Sequence, residues 1–305
     1  MVTVLESPER QLGDISPARQ ACAGRLRRVL PAVVLLLPCL YLYSSVFTGL
    51  VADWWDDPDY SHGFLVPLLS FYFFGERRQQ LARTVPQPNR WGLLVLMLGL
   101  AQLILGNVGA ELFMMRFSMI VVIAGLTLYL FGDQYLRLLG FPIAFLLFMI
   151  PLPAILLNTV TFPLQLFAAK LSTASLQLID LPVYREGNII FLPHITLEIV
   201  EACSGLRSLV SLLALSVVFG YLTQRHTWKI CVLVLSAVPI ALFANAFRIW
   251  GTGVLSHYYG SKVAEGFYHS FTGWAVFVVA GGLLLMTGFI LSQIGTKLMY
   301  QKEID

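Results

Sequence analysis

The sequence predicts an all-α, polytopic membrane protein, built as a bundle of about eight transmembrane helices. Of its 305 residues, 57% are hydrophobic and only 12% are charged, whereas an ordinary soluble domain has about 25% charged residues. The mean hydropathy is +0.76. Several uncharged runs approach or exceed the roughly 20 residues that a helix needs to cross a bilayer. These observations exclude an ordinary soluble globular domain.

Eight apolar runs account for the predicted spans. Their approximate bounds are 29–52, 60–75, 91–109, 117–131, 138–157, 206–222, 230–247 and 270–292. The first run is longer than the apolar region of a signal peptide, so we expect it to be a retained helix. The prediction is therefore one membrane domain over residues 29–292, with an N-terminal tail at 1–28 and a C-terminal tail at 293–305.

The distribution of basic residues orients these spans. If the N-terminus is cytoplasmic, the inner segments hold 14 of the 20 Lys and Arg residues and the outer segments hold 6. Cytoplasmic loops of membrane proteins carry an excess of Lys and Arg, so we expect both tails to be cytoplasmic. The acidic stretch DWWDDPD at 53–59 then lies outside. No tract of basic residues is dense enough to indicate nucleic-acid binding.

The longest segment between predicted spans, residues 158–205, lies on the outer side in this topology. Apolar residues recur in its first half at steps of three and four, which predicts a helix with one apolar stripe. The stripe consists of Leu164, Phe167, Leu171, Ala174 and Leu178. Because Lys170, Ser172 and Thr173 lie off the stripe, we expect this amphipathic helix to lie flat on the outer leaflet.

The second half of the same segment contains short runs of β-branched residues. These runs are interrupted at Glu186–Asn188 and again at Pro193–His194. Short β-prone runs separated by turn residues predict a small hairpin, here on the outer side.

Three residues with catalytic potential map to the outer ends of neighbouring spans: Cys203 begins the sixth span, Arg248 ends the seventh and His269 begins the eighth. The positive end of a helix dipole favours a thiolate at its N-terminus. A histidine can take the thiol proton and later protonate a leaving amine. An arginine can stabilise a developing oxyanion. Together they predict a cysteine acyl-transfer site.

Each of these residues also has a purely structural interpretation. A membrane cysteine is commonly a small buried hydrophobic residue, an interfacial arginine is commonly an anchor, and a histidine at a helix start is commonly a cap. The shared face and depth of the three residues favour the catalytic interpretation. Possible supporting residues are Glu201, Ser204 and His62, which is a second candidate for the base. No zinc-type cysteine spacing is present, and we expect neither a metal nor a cofactor.

Five segments in the same order and at similar spacing resemble the exosortases, a family of multi-pass bacterial membrane cysteine transpeptidases. They are DYSHGFLVPLLSFYFFGERR (59–78), the stretch at 150–190, EACSGLRSL (201–209), ANAFRIW (244–250) and YHSFTGWAVF (268–277). The resemblance implies that Cys203 is the nucleophile and that Arg248 and His269 are its catalytic partners. It also implies a location in the bacterial inner membrane, with the site facing the periplasm.

The resemblance implies the partners as well. The substrates would be secreted proteins with a C-terminal sorting signal: a Pro-Glu-Pro-like motif, a transmembrane helix and a basic cluster. A cell-surface glycan or a lipid-linked carrier would accept the product. Two other functions are open at this stage, namely a small-solute transporter and a non-catalytic scaffold in exopolysaccharide assembly.

Overall fold

The computed structural model describes residues 34–193, 196–199, 206–260 and 267–302, and it is predominantly helical. Eleven α-helices lie in these residues: α1 Val34–Leu42, α2 Ser44–Asp56, α3 Leu65–Glu76, α4 Arg78–Arg83, α5 Trp91–Val108, α6 Leu112–Phe131, α7 Asp133–Phe145, α8 Ala154–Gln177, α9 Leu206–Thr223, α10 Thr227–Tyr259 and α11 Phe267–Lys302. Two 3-10 helices occupy Pro58–Phe64 and Leu146–Met149. Three short strands follow α8: β1 Tyr184–Glu186, β2 Ile189–Phe191 and β3 Thr196–Glu198.

Five helices in the described residues are long and apolar enough to cross a membrane. The count becomes six if α1 and α2, which meet at a bend of 50°, form one span. The predicted count of about eight is therefore not confirmed. Helices α3 and α7 reach only about 18–20 Å at the α-helical rise, which is short of the roughly 30 Å of a hydrocarbon core. Helix α9 is apolar but also short.

The predicted fifth span, 138–157, is wrong as a continuous helix. Helix α7 ends at Phe145, a 3-10 turn follows, and α8 begins only at Ala154. Pro151 and Pro153 lie in the break. A proline lacks a backbone donor and disfavours helical geometry in the residue before it, so two prolines in three residues interrupt the helix.

The apolar stripe of α8 lies mostly away from the protein interior, and two of the polar residues beside it pack inwards. The off-stripe residues Ser172 and Thr173 are buried, and the Ser172 hydroxyl donates to the Ala246 carbonyl of α10 at 3.0 Å. The stripe residues Phe167 and Leu178 are 46% and 85% exposed. Small polar residues are favoured between membrane helices because they allow close approach and hydrogen bonding. The helix is also long and apolar enough to span, and a flat position on the outer leaflet stays a prediction.

The strands form a three-stranded antiparallel sheet in the order β1-β2-β3. It has one strand more than the predicted hairpin. The chain turns between β1 and β2 at Gly187, whose positive φ of 61° suits glycine. Ile190 and Ile199 from the sheet pack against α8 and α10 in one apolar cluster. The sheet therefore covers one end of that helix pair, and its side of the membrane stays a prediction.

Contacts between connecting segments define two ends of the bundle. At one of them, which we call the Arg77 end, the Arg77 Nε donates to the Tyr221 hydroxyl at 3.2 Å. Asn89 Nδ2 donates to Asp133 Oδ2 there at 2.9 Å. These contacts involve two segments that the basic-residue count assigns to the inner side, 76–90 and 132–137, and the end of the predicted span 206–222.

At the opposite end, which we call the His62 end, the buried Arg116 forms an ion pair with Asp53 at 2.6 Å. The indole nitrogen of Trp54 donates to the Met149 carbonyl at 2.9 Å, and His62 Nε2 lies 3.1 Å from the Phe148 carbonyl oxygen. Of these residues, Asp53, Trp54 and Arg116 lie in segments that the same count assigns to the outer side.

Candidate active site

Helices α9, α10 and α11 form a three-helix unit with a common apolar core. Leu212 of α9, Leu233 and Ala237 of α10, and Leu284 of α11 are fully buried in it. Helices α9 and α10 are joined by a short connection, and a Cβ built on Gly220 would lie 3.1 Å from Ile230 Cγ2. The unit therefore brings together the three helices that carry or adjoin the predicted catalytic residues.

One hydrogen bond fixes the relative level of α9 and α11. Gln224, just after α9, donates through Nε2 to the carbonyl of Gly288 in α11 at 3.0 Å. From that level, α9 extends back to Leu206 over about 27 Å, and α11 extends back to His269 over about 28 Å at the α-helical rise. The same rise carries α10 from Thr227 to Arg248 over about 32 Å. The start of α9, His269 and Arg248 therefore occupy a similar depth, far from the Arg77 end.

Arg248 reaches across from α10 to α11. It is half-buried, and its Nη1 would lie 3.7 Å from a Cβ built on Gly273 of α11. Arg248 does not end its helix, because α10 continues to Tyr259. Arg248 thus projects from the body of a continuous helix, which gives it a firmer support than a helix end.

His269 belongs to the first turn of α11, four residues before Gly273. Positions four residues apart lie on the same face of an α-helix. The helix face that approaches the Arg248 guanidinium at Gly273 is therefore the one that carries position 269. The His269 side chain is outside the described part of the structure.

Cys203, Glu201 and Ser204 also lie outside the described residues. The described chain stops at Ile199 and resumes at Leu206. Ile199 is buried in the apolar cluster that includes Ile249 of α10, and its backbone N–H donates to the Asn188 carbonyl at 3.0 Å. The residue before the cysteine segment thus packs in one apolar cluster with a residue of α10, and the residue after the segment begins α9. Both belong to or contact the three-helix unit.

His62, the second candidate for the base, lies in the 3-10 helix before α3. This 3-10 helix contacts α9. Because Arg77 and Tyr221 bring the C-terminal ends of α3 and α9 together, the two helices run in the same direction, and His62 lies towards the start of α9. Burial lowers the pKa of His62, and nearby backbone carbonyls of Phe148 and Asp59 only partly oppose this shift.

A model of the family described as transmembrane exosortase (Exosortase_EpsH) matches residues 54–286, about three quarters of the chain. The chain belongs to the transmembrane exosortase family. No curated protein and no solved structure matches it in the parallel comparisons. Membership of this family, together with the apolar helices, indicates a membrane transpeptidase.

The exosortase match includes His62, Cys203, Arg248 and His269. Within the described part of the chain, no group of three or more His, Cys, Asp or Glu residues could hold a metal ion. Sequence reasoning missed Gly273, where α11 lies against the Arg248 guanidinium. The available signal was its spacing, since a residue without a side chain lies one helical turn after a candidate catalytic histidine.

Proposed function

We propose that this exosortase is a cysteine protease or transpeptidase that removes the C-terminal sorting signal of secreted proteins. The signal comprises a Pro-Glu-Pro-like motif, a transmembrane helix and a basic cluster, and the product passes to a cell-surface glycan or a lipid-linked carrier. The observation that carries the proposal is the position of the Arg248 guanidinium against Gly273. That position lies one turn from His269 and at the depth where α9 begins.

The anchoring of the chain around Cys203 supports its role as the nucleophile. The cysteine is four residues after Ile199 and three before Leu206. At about 3.5 Å per extended residue, these tethers allow about 14 Å and about 10 Å of reach. Both distances are within range of a site between the starts of α9 and α11. A thiol near the N-terminus of α9 would also experience the positive end of the helix dipole, which favours the thiolate.

The reaction would proceed through a thioester. His269 takes the thiol proton of Cys203, or the two already rest as a thiolate and an imidazolium. The thiolate sulfur bonds to the scissile carbonyl carbon, and Arg248 stabilises the negative charge that develops on the carbonyl oxygen. The carbon–nitrogen bond then breaks, and His269 returns the proton to the departing amine of the tail.

The second half of the reaction decides the product. Attack on the thioester by water would make the enzyme a protease, whereas attack by an amine or a sugar hydroxyl would make it a transferase. The arrangement proposed here is an inner-membrane enzyme with its site open to the periplasm. Glu201 and Ser204 are proposed as supporting groups, through contact with a cationic partner and helix capping respectively.

The test is processing of a tagged reporter with such a tail, co-expressed with the full-length chain in membranes. Wild type should release the tail, and Cys203→Ala should reduce release at least 100-fold. Cys231→Ala is the matched control, because Cys231 is an exposed free cysteine on α10 and should process normally. Unchanged processing by Cys203→Ala would refute the proposal.

Thiol labelling separates the proposal from a non-catalytic scaffold. A membrane-impermeant reagent added from the periplasmic side should modify Cys203 rapidly at neutral pH, since a thiolate is the reactive form. Cys231, near the Arg77 end, should stay unlabelled until the membrane is permeabilised. An inert Cys203 would favour the scaffold, and the family match itself does not favour a transporter.

A further inference from the structure

An open groove runs along α10 between α8 and α11. We call it the α10 groove, and its volume is about 770 Å³. Both α8 and α11 pack on α10, but within the described residues they do not pack closely on each other. The groove floor includes Pro239, Phe243 and Trp250, and Ala275 and Val279 line the α11 side.

The wall of the α10 groove is almost entirely apolar. Of its described lining residues, only Ser175 and Trp250 have polar side-chain atoms. The Ser175 hydroxyl already donates to the Leu171 carbonyl within α8 at 2.9 Å. An occupant would therefore be held by apolar packing, and a ligand with polar groups along its length would leave them unpaired.

The groove begins beside the proposed active site and descends away from it. Trp250 lies two residues after Arg248, and Ala275 lies two residues after Gly273. From Trp250 the groove follows α10 to Pro239, a distance of about 16 Å towards the Arg77 end. An apolar segment seated here would have one end level with the reacting groups and its length parallel to the helices of the bundle.

The dimensions of the groove discriminate between possible occupants. A volume of about 770 Å³ over about 16 Å corresponds to a mean cross-section of about 48 Å². A single hydrocarbon chain, which packs at carbon–carbon separations of about 4 Å, fills roughly 20 Å². An α-helix about 10 Å in diameter has a cross-section of about 79 Å², so half of it would occupy about 39 Å². The groove is too wide for one hydrocarbon chain, whereas half of a helix and the two chains of one diacyl lipid, at about 40 Å², both approach its cross-section. The helix is favoured because one end of the groove lies beside Arg248, next to the proposed site.

We infer that the α10 groove binds the transmembrane helix of the substrate, in the stretch that follows the scissile bond. This inference rests on the proposed function, because it assigns a binding site to the helical part of the sorting signal. Small residues at Ala244 and Ala275 allow the incoming backbone to approach closely. A helix bound here would hold the motif that precedes it at the depth of Arg248. Binding of the tail would therefore also position the scissile carbonyl near the reacting groups.

Two adjacent valines on α11 provide a matched pair for the test. Val279 lines the groove and is 61% exposed, whereas Val278 is 59% exposed and lies outside the groove. A photo-crosslinking amino acid is placed at 279 or at 278 in the full-length Cys203→Ala chain, which holds the reporter intact. The probe is a membrane reporter with a Pro-Glu-Pro motif, an apolar helix and a basic cluster. Crosslinking to its helix should be at least fivefold stronger from 279.

Processing of the same reporter gives the second measurement. In the chain with Cys203 intact, Val279→Trp should slow tail release at least tenfold by filling the groove, and Val278→Trp should change it less than twofold. Equal crosslinking from both positions would overturn the inference. So would crosslinking from 279 mainly to lipid or to a second copy of the chain. If Val279→Trp released the tail normally but transferred the product to the acceptor poorly, the groove would be a binding site for the acceptor. That result would also overturn the inference.

The two proposals fail in different ways. Selective crosslinking from 279 without any tail release by wild type would support the groove assignment and refute the cleavage reaction. Tail release by wild type with no selective crosslinking would refute the groove assignment and leave the cleavage reaction supported. The absence of both signals would refute both proposals.

Discussion

The space around Gly273 predicts a graded response of activity to side-chain size. A Cβ at this position would lie 3.7 Å from Arg248 Nη1, which is ordinary van der Waals contact. Gly273→Ala should therefore process the reporter within about threefold of the wild-type rate. Replacement of glycine in a helix interior also removes an entropic penalty of roughly 0.5–1 kcal/mol, so folding should not suffer.

Gly273→Val should behave very differently. A valine methyl extends about 1.5 Å beyond Cβ and could approach the guanidinium nitrogen to about 2.2 Å if Arg248 did not move. Valine has one strongly preferred rotamer in a helix, so it has little freedom to avoid the contact. A displacement of about 1 Å in a positioning group can reduce the rate about 100-fold, which corresponds to about 2.7 kcal/mol of transition-state stabilisation.

The assay is the rate of tail release per molecule of folded enzyme in membranes, compared across the two Gly273 variants. Gly282→Val is the control, because a Cβ at Gly282 of the same helix would meet no atom within 4 Å. A wild-type rate for folded Gly273→Val would show that the Arg248 position against α11 does not contribute to catalysis. An equal loss in Gly282→Val would attribute the effect to α11 packing.

Three further predictions concern stability, followed as the midpoint of thermal unfolding in detergent. Asp53→Ala leaves the buried Arg116 without its ion-pair partner and should lower the free energy of unfolding by about 3 kcal/mol. Adding Arg116→Met should restore most of that stability. An equal loss in the single and the double variant would contradict this prediction. Gly288→Ala should destabilise by about 1–3 kcal/mol, because its Cβ would overlap the Phe219 ring; a midpoint at or above wild type would contradict it. The lowered pKa of His62 makes the folded state bind a proton less readily than the unfolded chain, so stability should fall below pH about 6.5. His62→Gln should reduce that fall between pH 7.5 and 5.5, and an unchanged pH dependence would show that His62 does not cause it.

Helices that are apolar from end to end were predicted well. The spans 91–109 and 206–222 match α5 and α9 to within one residue, and 117–131 matches α6, which begins five residues earlier. Helices α5 and α6 also pack closely on each other, because a Cβ on Gly125 would lie only 2.7 Å from the Leu96 backbone nitrogen. Glycines in an apolar run allow such close contact, and the run itself is evident from composition.

Hydropathy failed where the chain changes direction without becoming polar. Residues 138–157 stay apolar through the break between α7 and α8, because proline interrupts a helix without lowering the mean hydropathy. The apolar stripe of α8 corresponds to a real helical face, on which Phe167 and Leu178 are exposed. In a membrane the lipid is as apolar as a protein core, so small polar residues such as Ser172 can mark the protein-facing side.

The sequence allowed the candidate residues of the site to be named, but it did not predict which of their surroundings would contact them. The order of the spans indicated that Arg248 and His269 share one end of the bundle. The level of α11 relative to α9 and α10, which puts Gly273 beside the guanidinium, depends on contacts such as that between Gln224, just after α9, and Gly288. Those contacts join residues far apart in sequence, and no local pattern encodes them.

The order of the elements along the chain has a consequence for biosynthesis. Helix α11 is made after every other described helix, yet it contributes position 269, the surface beside Arg248 and the acceptor for Gln224. A ribosome that has delivered everything up to α10 has produced a chain in which Cys203, the proposed nucleophile, still lacks its proposed histidine. The proposed site would thus stay incomplete during translation and form only once α11 has been added.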